Sequence, residues 1–288
     1  MTLSERIPTE PEKVKQIQEN LITYFRLFDG LPGVTFVEED ITWATATRGI
    51  PGNQVFRTQV SDEAVDARIN DLIRRIGQSV NQVDWFVFPD CQPADLGERI
   101  VAAATAGGPD GEWTLVGQIG GPGGRWMLAD LAALPDAPEA PDGFRVEHLR
   151  DTDGLARWLH VSRIGFGHEV DPSESVEAQP FYAAYARHGF GRDAFSLHYI
   201  GFVDDEPVTA STLLLAGGIA GLYDVSTPPS LRRQGYGSAI SRVLMVEAQK
   251  RGYKDAFVWS SPMGKGVYGR IGYALADIGM REYCWQKR

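Results

Sequence analysis

Arg232-Arg233-Gln234-Gly235-Tyr236-Gly237 is the stretch of this chain best suited to chemistry. It follows a short strand-like run and opens a helix. The first N–H groups of a helix have no partner inside it, and the aligned peptide dipoles make that end positive. Gly235 and Gly237 remove the side chains that would keep an anion off the backbone. Such a loop suits a phosphate or a diphosphate. Taken alone it is weak evidence, because glycines also end strands and let helices pack closely.

Its surroundings say more. Thr227-Pro228-Pro229 precedes the loop, and Val267-Tyr268-Gly269-Arg270-Ile271-Gly272-Tyr273 follows it. Together these resemble the acyl-CoA-binding core of the GNAT superfamily of N-acetyltransferases. The spacing Arg232-x-x-Gly235-x-Gly237 fits the family's loop. The preceding strand ends at Thr227, where the family strand splays and its backbone pairs with the pantetheine arm. Tyr268…Gly272-Tyr273 is similar to the family's Tyr-x-x-x-Gly-Phe signature. The resemblance spans Phe144 to Gln286 and is strongest from Leu222 to Tyr273. It implies acetyl-CoA (coenzyme A) as cofactor, held by Val225, Thr227, Arg232, Arg233, Gln234, Gly235, Tyr236, Gly237, Ser238, Ser261 and Tyr268. Ser261 departs from the pattern, since relatives often have Asn there.

The same resemblance makes Tyr268 the general acid. When an amine attacks a thioester, the departing thiolate needs a proton, and a Tyr hydroxyl of pKa ~10 can supply it to a thiol of pKa ~8.5. The plainer role is a tyrosine covering the sheet edge. The attacking nitrogen must be neutral, and an alkylammonium of pKa ~10.4 costs roughly 4.6 kcal/mol to deprotonate at pH 7. Asp224 and Tyr223 are the candidate bases, within Leu222-Tyr223-Asp224-Val225. Side chains alternate along a strand, so only one of the two is expected to face the pocket. An Asp is unusual in a strand. Its plainer role is a buried hydrogen bond that pins the strand ends. Backbone N–H groups near Val225 and Thr227 would hold the oxyanion.

Other residues carry less. The five histidines have no metal spacing, so no metal site is expected. His168, beside Glu169 and Asp171, reads as part of a solvated charge cluster. Phe181, Tyr182 and Tyr185 read as core at their helical spacing.

Composition sets the bounds. The 288 residues are 43% hydrophobic and 23% charged, the profile of a globular protein with room for two domains. A formal net charge of −10 argues against nucleic acid as a partner, because phosphate backbones need a basic surface. An amine acceptor suits that field. Two cysteines, Cys91 and Cys284, make no disulfide scaffold. The polar start lacks a signal-peptide core and no run is long enough to span a membrane, so a cytoplasmic protein without a membrane partner is expected. A homodimer is an assembly open to it.

The elements that would position the site read as an α/β (α+β) protein of two GNAT-like domains, each a mixed, mostly antiparallel sheet flanked by helices. Residues 1–132 form one domain, the Pro- and Asp-rich stretch 133–143 a linker, and 144–288 the catalytic domain. In the second half, strands are expected at Phe144–Leu149, Phe195–Val203, Pro207–Ala216, Ile219–Thr227, Asp255–Ser260 and Met280–Gln286. Helices are expected at Asp151–Ile164, Ser173–His188 and Gly237–Arg251, with a short one through Tyr268. The first half echoes the order from Ile219 onward: a helix at Ser61–Ile76, a strand at Val83–Phe88, a helix at Pro93–Ala104. A hairpin follows, pairing Trp113–Val116 with Trp126–Leu128 across Gly120–Gly124. Asp62 and Glu63 stand where the second half has Arg232 and Arg233, and carboxylates there repel a diphosphate. The first half therefore reads as a degenerate copy, with an unrelated helper domain as the plainer alternative.

The expected activity is acetyl transfer from acetyl-CoA to a small-molecule amine. A non-catalytic acyl-CoA-binding module is the alternative, as is another acyl-CoA reaction on the same scaffold, such as longer acyl transfer or decarboxylation.

Overall fold

The computed structural model describes residues 7–47, 52–119, 126–136, 139–168, 175–191 and 193–288. The Gly120–Gly124 turn, Ala137-Pro138, Glu169, Asp171 and the expected helix start at Ser173 lie outside the described residues. Fourteen strands and seven helices follow in chain order: β1 (Ile7–Pro8), α1 (Pro11–Arg26), β2 (Val34–Glu38), β3 (Ile41–Ala46), β4 (Gln54–Thr58), α2 (Val65–Ile76), β5 (Gln82–Val87), α3 (Leu96–Thr105), β6 (Trp113–Ile119), β7 (Trp126–Asp130), β8 (Arg145–His148), α4 (Thr152–Gly165), α5 (Pro180–His188), β9 (Ser196–Val203), β10 (Glu206–Ala216), β11 (Ile219–Ser226), α6 (Tyr236–Lys250), β12 (Asp255–Trp259), α7 (Lys265–Arg270), β13 (Ala274–Asp277) and β14 (Arg281–Lys287).

The chain divides into two compact units. The first is Met1–Val14, Phe28–Gly124 and Asp277–Arg288; the second is Lys15–Leu27 and Arg125–Ala276. The first holds a sheet in the order β2-β3-β4-β5-β14-β6, and the strands of the second run β13-β7-β12-β11-β10-β9-β8. Each sheet is antiparallel except for one parallel pair. Those pairs are β4–β5 and β11–β12, and each is bridged by a helix, α2 and α6 respectively. The mixed α/β class with two mostly antiparallel sheets is the one the sequence implies, and the strand–helix–strand unit recurs in both.

Local chemistry explains most elements. Asp204 and Asp205, both at positive φ (48° and 66°), make the tight turn between β9 and β10 whose twist suits a hairpin. Asp151 caps α4 by accepting from Gly154 N–H at 2.8 Å. Ile240, Leu244, Met245 and Ala248 of α6 are buried against Leu213, Leu215, Ala220, Leu222, Ala256 and Val258. Each such large aliphatic contributes about 1.5–3 kcal/mol, so packing rather than helix propensity holds α6. Gly252 at φ 87° ends it, and Tyr253 N–H caps Ala248 O at 3.1 Å.

Two strands depart from the expected organisation. The hairpin between Trp113–Val116 and Trp126–Leu128 does not form: β6 pairs with β14, and β7 pairs with β12 and β13. The last strand, expected to complete the C-terminal domain, lies in the sheet of the first unit between β5 and β6. The exchange is reciprocal, since β7 lies between β12 and β13 of the second unit. A glycine-rich turn between apolar runs is a local hairpin signal. Here cross-strand burial outweighs it: Trp126 pairs with Trp259 and stacks on it at 5.4 Å, and Trp113 packs on Trp285 at 6.4 Å. A cut at 133–143 therefore does not divide the chain as its contacts do.

The stretch 133–143 is also less free than a linker. Leu134 packs on the core of the second unit, Pro135 lies against Gly272, and Pro141 against Gly235. Among the described residues, no helix is long and apolar enough to cross a membrane, and no cluster of His, Cys, Asp and Glu could hold a metal ion.

Candidate functional site

β11 is bent where its chemistry lies. Its ladder with β10 pairs Thr212 with Tyr223 and Ala210 with Ser226, so Asp224 and Val225 together oppose Ser211. Asp224 takes φ 53°, in the left-handed region. This is a β-bulge, which bends the strand and sharpens its twist. Hydroxyls support it from β10: Ser211 Oγ donates to Tyr223 O at 3.2 Å, and Thr209 Oγ1 to Ser226 O at 2.7 Å.

The bend opens the sheet. Between β11 and β12 the recorded pairs are Ala220–Ala256 and Gly221–Phe257, near the start of both strands. Beyond them β11 stays with β10 as far as Ser226, while β12 stays with β7 as far as Trp259. The two strands part after Gly221, ahead of the bulge, leaving the β12-facing edge of Leu222–Ser226 without a strand partner among the described residues.

The glycine loop follows at once. After the tight turn Pro229–Leu231, Arg233 (φ 66°) and Gly235 (φ 90°) are both left-handed, and Gly235 stands at the N-cap of α6 with no side-chain cap. Tyr236 is buried with its ring stacked on Phe144 at 5.6 Å, and its hydroxyl donates to Gln234 Oε1 at 3.0 Å. The larger side chains thus brace the loop and leave the first turn of α6 lined by Gly237 and Ser238. A Cβ at Gly237 would meet nothing nearer than Thr227 Oγ1, at 3.9 Å. Packing does not require glycine there.

Arg232 braces the loop from within. Its guanidinium donates to Gly165 O at 2.8 Å and Thr227 O at 3.2 Å, tying the end of α4 to the loop. Gly165 is needed for that closeness, because a Cβ on it would come within 2.7 Å of Ser226 Cβ. Arg233 remains as the exposed cation. Ser261 Oγ accepts from Gly264 N–H at 3.0 Å and so secures the turn that leads into α7. Ser226 Oγ is buried with no partner recorded for it.

Tyr268, on α7, is 7% exposed and packs edge-on against Tyr273 at 5.6 Å. It belongs to the core cluster that includes Leu222 and Val258, with Val225 packed against it. Burial raises its phenol well above the usual value, so it stays protonated at any ordinary pH.

Asp224 lies on the opposite face. Tyr24 Oη donates to its Oδ1 at 2.9 Å and Tyr185 Oη to its Oδ2 at 2.6 Å. Burial raises its pKa, and hydrogen bonds from Tyr185, Tyr24 and Thr212 oppose that rise. The left-handed turn costs about 1–3 kcal/mol. Two hydrogen bonds to a charged group contribute about 1.5–3 kcal/mol each, enough to offset it. Thr212 Oγ1 lies 3.0 Å from His198 Nδ1, and burial lowers His198 to about 3, so the imidazole is neutral.

Tyr223 and Asp224 do not alternate as a regular strand would make them. The Tyr223 ring stacks on Tyr24 at 4.1 Å, and Asp224 accepts from the hydroxyl of that same Tyr24. The bulge supplies the extra residue that turns both to one side. Tyr223 Oη donates to Asn20 Oδ1 at 3.0 Å. Nothing in the sequence singles out Tyr24, and Tyr185 reads as core at its helical spacing. Both are buried aromatics on amphipathic helices, and nothing local distinguishes a tyrosine that serves a carboxylate from one that packs.

The first unit has no such site at the start of α2. Asp62 and Glu63 fall in the turn before the helix rather than in its first turn. Arg99 of α3 gathers Asp62, Asp66 and Asp95, with Asp66 at 3.2 Å and Asp95 at 3.0 Å. Three carboxylates around one guanidinium are unfavourable to a diphosphate.

No protein-family model and no curated protein sequence matches the chain. Solved structures do. A GCN5-related N-acetyltransferase from Kribbella flavida is 17% identical, with 93% of this chain and 95% of that one covered at a TM-score of 0.56. A tandem GNAT protein from the clavulanic acid biosynthesis pathway is 15% identical, covering 92% and 86% at 0.59. A GNAT-family acetyltransferase described as putative, from Novosphingobium aromaticivorans, is 11% identical, covering 97% and 100% at 0.52. The chain has the two-domain fold of these proteins.

Proposed function

We propose that the second unit binds acetyl-CoA and acetylates a small-molecule amine, and that the first unit is a degenerate copy without a cofactor site. One observation carries this reading: the splayed end of β11 and β12 runs directly into a glycine-opened helix start. The splay offers unpaired strand edge to an amide-bearing arm, and the helix start offers N–H groups and Arg233 to a diphosphate. The space at Gly237 fits such an occupant.

Bound there, acetyl-CoA supplies an activated acetyl thioester. Backbone N–H groups at Val225 and Thr227 stabilise the negative charge that forms on the carbonyl oxygen. Tyr268 gives its proton to the departing sulfur. Asp224, on the other face of the strand, takes the proton that an ammonium acceptor must lose before it attacks, directly or through a water, and passes it to solvent. The second proton, lost from nitrogen as the amide forms, replaces through solvent the one Tyr268 has given to the sulfur. An ammonium and a thioester thus give an amide, a free thiol and one proton.

Calorimetric titration with acetyl-CoA tests the binding, with one site per chain expected. Two equivalent sites would refute the asymmetry between units. Release of free thiol in the presence of a panel of primary amines tests the chemistry. Binding without release from any amine would leave a non-catalytic acyl-CoA module.

A further inference from the structure

We propose that Tyr24 and Tyr185 are positioning residues for acetyl transfer. Their hydroxyls hold the Asp224 carboxylate and, through it, the left-handed turn that opens β11. The role in transfer rests on the acetyltransferase reading above; the hold on the carboxylate does not.

Each hydroxyl is immobilised by the packing of its own ring. Tyr185 is fully buried, stacked on His198 at 3.9 Å and edge-on to Trp158 at 5.4 Å. Tyr24 is stacked on Tyr223. The segment of α1 that carries Tyr24 is bolted to the second unit by Asn20. Its amide donates to Leu214 O at 3.2 Å, Ala216 O at 3.0 Å and Ile219 O at 2.9 Å, across the β10–β11 turn. α1 thereby places Tyr24 beside Asp224, 200 positions along the sequence.

The groups facing Asp224 are Tyr24 from α1, Tyr185 from α5 and Thr212 from β10, with Tyr223 beside it and neutral His198 behind Thr212. None of them is a cation. The charge on this half-buried carboxylate therefore depends on hydroxyl donors, and each donor removed makes the carboxyl easier to protonate. Each also releases one oxygen that anchors the strained turn.

The test uses Tyr24→Phe, Tyr185→Phe and the double variant in the full chain. Each ring is kept and one hydroxyl lost. With an amine acceptor found, kcat should fall about 10- to 100-fold per hydroxyl, the range of a hydrogen bond to a charged group. The acid limb of the kcat profile should move to higher pH, while the acetyl-CoA Kd stays within about threefold. Adding either change to Asp224→Asn should cost little more, because all act through one carboxylate. A fall in thermal stability with kcat and the acid limb unchanged would reduce the pair to scaffold and overturn the proposal. The hold on the carboxylate has its own readout, which needs no substrate: carbon NMR titration of the Asp224 carboxyl. Its pKa should rise in both variants, and an unmoved pKa overturns the clamp even if catalysis suffers. If the wild type fails to bind acetyl-CoA, the acetyltransferase reading falls and this titration still decides the clamp. Should a Phe variant not fold, Thr212→Val removes the third donor in the same shape and should raise the same pKa.

Discussion

Gly237 faces Thr227, and a Cβ placed on it would meet Thr227 Oγ1 at 3.9 Å, an ordinary van der Waals contact. The protein has no steric need for glycine at this point of α6, and the proposed diphosphate site gives it one. Gly237→Ala should fold and gain up to about 1 kcal/mol from the lower entropy of its unfolded chain. Gly237→Asp should fold equally well and lose acetyl-CoA affinity by at least about tenfold, through a like charge at the helix start. Thermal unfolding and calorimetry on the two variants check this. A folded Asp variant with normal affinity would place the diphosphate elsewhere.

Tyr268→Phe keeps the ring that packs on Tyr273 and removes the hydroxyl alone. Turnover should fall about 10²- to 10⁴-fold, the usual range for a general acid, with little change in acetyl-CoA affinity. Steady-state kinetics with the chemical step shown to limit the rate is the measurement. Unchanged turnover would assign Tyr268 to the core it shares with Leu222 and Val258.

Asp224→Asn should depress the rate most near neutral pH. The deficit should shrink as the pH approaches the acceptor's own pKa, where free amine no longer needs a base. Burial raises the Asp224 pKa, so the wild-type acid limb should lie above the ordinary carboxylate range. A pH profile of both proteins decides it. A deficit equal at every pH would mean that Asp224 acts by holding the strand.

His198 makes a prediction about stability. Its folded pKa is lowered by burial from 6.5 to about 3, so the fold keeps it neutral while the unfolded chain takes up a proton. The contribution is complete above pH 6.5 and is lost as the pH falls from there toward 3. The slope should be about 1.4 kcal/mol per pH unit. Denaturant unfolding at neutral and mildly acidic pH should show this dependence in the wild type. His198→Gln should be less stable at neutral pH and flatter below it. An equally steep decline in the variant would trace the acid sensitivity to other groups, such as His148 or His188.

Much of the site is visible in the sequence because it depends on short-range physics. The glycines at 235 and 237, the apolar stripe of α6, Asp224 in a strand and Tyr268 after β12 all report local backbone conformation or one-sided burial. Those are decided within a few residues by sterics and by the period of the side chains. What the sequence alone determined is therefore a strand, a glycine-bearing turn, a helix, and the class of fold that uses them. The tertiary structure decided which strands pair, so that β7 and β14 change places between units against the local hairpin signal. It decided that Tyr24, in the first helix of the chain, would meet Asp224 and Tyr185. It also decided, through one bulge, that Tyr223 and Asp224 would share a face. Strand edges and hydroxyl donors are chemically alike along the chain, and only burial against distant partners chooses among them.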